Sequence, residues 1–95
     1  MTSRVVITGL GVISPAGQGI PAFETALRSG ISGIRHNGWH DTAEARSQLV
    51  GQVDPFDPPA SIGAKELKPL SRADQYALAA ALEALAHARF DPASR

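Results

Sequence analysis

An α/β fold is predicted for this 95-residue chain, on three observations. The run Val5-Val6-Ile7 is branched and continuous rather than alternating, the pattern of strands covered on both faces in parallel sheets. Two segments with helical spacing follow, Pro21 to Ser29 and Ser71 to Arg89. Between them, clusters of glycine and proline cut the chain into short elements.

The first element spans Arg4 to Leu10, and Thr8-Gly9 closes it. Gly11, Pro15, Gly17 and Gly19 then mark a long bent loop. Pro21 suits the first turn of a helix, Phe23 and Leu27 share one face, and Gly30 is placed to end it. Ser32-Gly33 through His40 is expected to be loop, and Thr42 to Gln48 a turn or two of helix capped by Asp41 or Thr42. Leu49 to Val53 predicts a short strand in which Gly51 marks a close backbone approach. Three prolines make Asp54 to Pro59 a stiff connector, and Lys65-Glu66-Leu67 gives a single turn.

The clearest helix runs from Arg72 to Arg89, with Ser71 and Asp74 placed as a capping box. Leu78, Leu82 and Leu85 form one stripe, and Ala77, Ala81, Ala84 and Ala88 a neighbouring one that admits another backbone. Glu83 and His87 form an i,i+4 surface pair worth a few tenths of a kcal/mol. Phe90-Asp91-Pro92 stops the helix, and Asp91 opens a further turn three residues before Arg95, the pattern of an element cut short.

A chain of this length buries only about 60–65% of its unfolded surface, so a thin core is expected. Formal charges balance to zero, so no field draws the chain to nucleic acid or to an anionic membrane. No stretch approaches the ~20 apolar residues of a membrane span, and Met1 to Arg4 lacks the pattern of a signal peptide. A cytoplasmic location is the default. There is no cysteine, which excludes disulfides, thiolate metal sites and a cysteine nucleophile on this chain.

Candidate chemistry is sparse. Gly9-Leu10-Gly11 after a strand is similar to the opening of a dinucleotide fingerprint. Ser14 stands where the third glycine belongs, and Ile13 where the short-chain dehydrogenase form of the fingerprint needs one. The glycines are better explained as bending the backbone out of a strand. His36 and His40 are four apart and could ligate zinc on a helix, but Asn37-Gly38 between them signals a turn. Asp54 and Asp57 are more readily turn caps than paired carboxylates, and His87 a solvated surface residue. Ser14 lacks a nucleophile-elbow context; Arg72 and Tyr76 contribute packing and surface charge. No catalytic, cofactor-binding or metal residue is assigned, and no cofactor is expected.

From Val5 through Gly17 the sequence resembles the amino terminus of β-ketoacyl-acyl-carrier-protein synthases, the condensing enzymes of fatty-acid and polyketide synthesis. The resemblance continues through Phe23, Leu27, Gly30, Ser32-Gly33-Ile34, Gly51-Gln52-Val53 and Leu70-Ser71-Arg72-Ala73-Asp74. It implies the N-terminal portion of a thiolase-like fold, a mixed sheet flanked by helices, incomplete on its own across residues 1–95. The wording of the first strand is closer to stand-alone elongating synthases than to modular polyketide domains.

The resemblance also implies, for the parent enzyme, a cysteine that takes the acyl chain, with two histidines and a lysine assisting decarboxylation. All lie beyond the matched region, and none of His36, His40 or His87 matches those motifs. Expected partners are the remainder of the synthase, in a homodimer or heterodimer, and an acyl carrier protein. The rival readings are a cysteine-free partner subunit or a structural fragment that folds by association and, behind these, nucleotide binding by the glycine turn. The segment Val5 to Leu10 is then an interior strand needing neighbours these residues do not provide. A solvated segment, or a chain sealed into a compact core by itself, would overturn the reading as a severed condensing-enzyme terminus.

Overall fold

The computed structural model describes residues 3–36 and 46–90. Within them two compact units form, one joining the stretch up to Val12 with that from Pro58 onward, the other spanning Ile13–Asp57.

The Ile13–Asp57 unit is built from two small antiparallel ladders and a helix. Strands β1 (Ile13–Ser14) and β2 (Gly17–Gln18) pair across a tight turn, Ile13 opposite Gln18. The long loop expected here is therefore a miniature hairpin. Its turn is closed locally: the Ser14 hydroxyl donates to the Gly17 carbonyl at 3.3 Å and accepts from the Ala16 N–H at 3.2 Å. Gly17 and Gly19 take positive φ of 154° and 92°, where a side chain would be strained.

Helix α1 (Ile20–Ser29) begins with proline in its first turn and ends at Gly30, which is left-handed at φ 67°. The Ile31 N–H returns to the Ala26 carbonyl at 3.0 Å, satisfying one of the last free carbonyls. Both predicted helix signals are met. Glu24 and Arg28 form an exposed ion pair at 2.9 Å, worth a few tenths of a kcal/mol.

The predicted loop from Ser32 to His40 is corrected in part. Ile34–His36 is strand β3, paired antiparallel with β4 (Leu49–Gly51), Ile34 opposite Gly51 and His36 opposite Leu49. The branched Ile34 and the partner ladder override the polar composition around it. Strand β4 falls two residues short of the predicted Leu49–Val53. At Gly51 the neighbours are side chains rather than backbone, an added Cβ lying 3.0 Å from Pro15 Cγ. Residues 42–45 of the predicted short helix lie outside the described residues, as do Asn37 to Asp41; Arg46 to Gln48 are not helical. Asp54 to Pro59 has no regular structure, as its prolines require.

In the other unit, the single turn α2 (Ala64–Leu67) precedes α3 (Arg72–His87). Ser71 caps α3, its hydroxyl accepting from the Asp74 N–H at 3.1 Å. The helix stops two residues earlier than predicted because Arg89 is left-handed, at φ 54°. The Phe90 N–H then reaches the Leu85 carbonyl at 2.9 Å, closing the helix end in the manner usually given to glycine.

The largest correction is at the first element. Arg4 to Leu10 is not a strand: it makes no ladder, and Val5 and Ile7 are 95% and 81% exposed. The ladders of the described residues pair only β1 with β2 and β3 with β4. The backbone of Val5 to Leu10 therefore has no edge to join. The core is thin as expected: among the described residues only Ala26 and Ala79 are buried hydrophobics. The leucines Leu78, Leu82 and Leu85 are half-buried.

Candidate functional site

The glycine turn is seated on α3. A Cβ added to Gly11 would meet the Ala80 carbonyl and lie 2.9 Å from the Ala84 nitrogen. One added to Gly9 would meet the Ala84 carbonyl and lie 2.8 Å from Ala88 Cβ. Real Cβ atoms do not tolerate such spacing, so Ala80, Ala84 and Ala88, four apart along one face, receive the backbone at Gly9 and Gly11. The predicted alanine stripe was half right. Ala84 and Ala88 belong to it, whereas Ala77 and Ala81 are exposed, and Ala80 takes their place.

Two polar side chains flank this seat. His87 Nδ1 accepts from the Leu10 N–H at 3.0 Å, and Glu83 Oε1 accepts from the Val12 N–H at 2.9 Å. Leu10 and Val12 are two apart, and the N–H groups of both reach side chains on α3. Glu83 and His87, one helical turn apart, meet both. They act as the edge of a neighbouring strand would. His87 stays exposed, as expected, but it and Glu83 hold backbone N–H groups rather than forming a plain surface pair. The missing signal was tertiary, since nothing in the helix sequence says which backbone lies across it.

The Ile13–Asp57 unit carries a cleft of about 530 Å³ between the β1–β2 hairpin, the stretch around Ser32 and the Val53–Asp57 connector. Its polar groups are turned inward on the fold. The Gln18 amide donates to the Asp57 carbonyl at 2.6 Å and accepts from the Asp57 N–H at 2.9 Å. Arg35 Nη2 donates to the carbonyls of Gln52 and Asp54, both at 3.3 Å. The Ser32 hydroxyl accepts from the Ile34 N–H at 3.1 Å. Gly33 lies against the Pro15 backbone, where an added Cβ would be 2.6 Å from the Ala16 nitrogen. These bonds fasten loops to one another. Gln18 was missed by sequence reasoning because its partner is 39 residues away.

The candidate residues do not converge on chemistry. Asp54 and Asp57 line this cleft, with Ser14 engaged in its own turn. His36 sits exposed on a strand rather than a helix, while His40 lies outside the described residues. Among the described residues no group of three or more His, Cys, Asp or Glu is placed to hold a metal ion. Arg72 and Tyr76 engage each other, the guanidinium donating to the phenol oxygen and lying 5.5 Å from the ring centre. The glycines at 9 and 11 pack on a helix face, which explains them without a phosphate. Among the described residues no helix is long and apolar enough to cross a membrane.

A glycine-rich turn locked on an alanine helix, behind an unpaired apolar segment, is the setting in which the family comparison falls. The model of the β-ketoacyl synthase N-terminal domain matches residues 2–95. The chain belongs to the β-ketoacyl synthase family. The actinorhodin polyketide β-ketoacyl synthase 1 of Streptomyces coelicolor is 43% identical over 90 residues, covering 94% of this chain and 19% of that protein. The tetracenomycin polyketide synthase ketoacyl synthase alpha subunit of Streptomyces glaucescens is 39% identical over 92 residues, covering 96% and 21%. The 3-oxoacyl-[acyl-carrier-protein] synthase 2 of Staphylococcus aureus is 38% identical over 89 residues, covering 93% and 21%. The β-ketoacyl synthase sequence in hand thus spans about a fifth of the length of these relatives.

Proposed function

We propose that the chain is the N-terminal part of a 3-oxoacyl-[acyl-carrier-protein] synthase with a thiolase-like fold. The whole enzyme extends an acyl thioester by two carbons in polyketide or fatty-acid synthesis. The observation that carries this reading is the family match along residues 2–95. The segment from Val5 to Leu10 fits it, with Val5, Val6, Ile7 and Leu10 exposed and no ladder joined. Relatives named as a polyketide β-ketoacyl synthase and as a 3-oxoacyl-[acyl-carrier-protein] synthase are both similar to the chain.

The reaction proceeds in two transfers. The acyl group passes from its carrier thioester to an enzyme thiol, releasing the carrier thiol. Malonyl-carrier-protein then loses carbon dioxide, and the resulting carbanion attacks the enzyme thioester. The carbon–carbon bond forms as the carbon–sulfur bond breaks, returning the thiol. This chain contains no cysteine, so the nucleophile belongs to another part of the synthase. Residues 1–95 contribute the seat of the first strand on α3 and its covering helices. The proposed partners are the rest of the synthase, as a homodimer or heterodimer, and an acyl carrier protein, in the cytoplasm.

The test uses the gene product at its natural length. Intact mass and peptide mapping after iodoacetamide treatment are expected to reveal a cysteine-bearing portion. Incubation with an acyl-carrier-protein and malonyl-carrier-protein is expected to release carbon dioxide and yield the 3-oxoacyl product. A cysteine-free protein that forms this product only with a second, cysteine-bearing subunit would instead make it a partner subunit. Absence of product in either arrangement would overturn the proposal.

A further inference from the structure

We draw no further inference here: the strongest candidate, the apolar groove along α3 lined by Thr8, Gly9, Ala81, Leu85, Ala88 and Phe90, is an unpartnered face, and nothing in the structure shows what covers it.

Discussion

Gly11→Ala gives the sharpest test of how the segment is seated. The added Cβ would meet the Ala80 carbonyl, 2.8 Å from the Ala80 carbonyl carbon and 2.9 Å from the Ala84 nitrogen. These are helix backbone atoms tied into the ladder of α3, so they cannot swing aside as a long side chain would. Gly11 has no left-handed φ, so conformational strain adds nothing and space alone decides. Overpacking of this kind costs about 1–3 kcal/mol. The clamp bonds from Leu10 and Val12 flank Gly11 on both sides, and displacing it weakens both, each worth about 0.5–1.5 kcal/mol net.

With both bonds lost, those ranges give a total of about 2–6 kcal/mol. Denaturant unfolding of the natural-length protein, followed by circular dichroism, reads it out. Gly30→Ala is the control: nothing lies within 4 Å of its added Cβ, and only its φ of 67° is penalised, costing about 1 kcal/mol. If Gly11→Ala costs no more than Gly30→Ala, the tight seat of Gly11 on α3 is wrong.

Three further outcomes are expected. Arg89→Gly should stabilise by about 1 kcal/mol, because Arg89 holds a φ of 54° at the end of α3 and glycine bears no such strain; a lowered denaturation midpoint would contradict this. Ser71→Ala should cost about 1 kcal/mol by freeing the Asp74 N–H, whereas Ser71→Asp should nearly preserve stability in the same unfolding assay. The 95 residues expressed alone should aggregate or bind hydrophobic dyes, given exposed Val5, Val6, Ile7 and Leu10; a sharp cooperative melt of a soluble monomer would refute that.

Much of the fold was legible in local signals. Pro21 and Gly30 bracket α1, Ser71 opens α3, and the proline run from Asp54 to Pro59 stays irregular. These signals act through neighbours within one helical turn, which a sequence displays. The β1–β2 hairpin and strand β3 were not legible, because two- and three-residue ladders depend on a partner rather than on propensity. Solvation of Val5 to Leu10 also proved a poor criterion. The segment is exposed, and the family match along residues 2–95 stands all the same.

The sequence by itself determined that Val5 to Leu10 is an apolar stretch needing cover, that a small-residue helix face would meet backbone, and which family these patterns resemble. Tertiary structure alone decided that Gly9 and Gly11 are that backbone, and that Ala80 rather than Ala77 or Ala81 receives them. It also decided that Glu83 and His87 hold the N–H groups of Val12 and Leu10. The reason is distance along the chain: those bonds join residues 71 and 77 positions apart, and no spacing rule reaches that far.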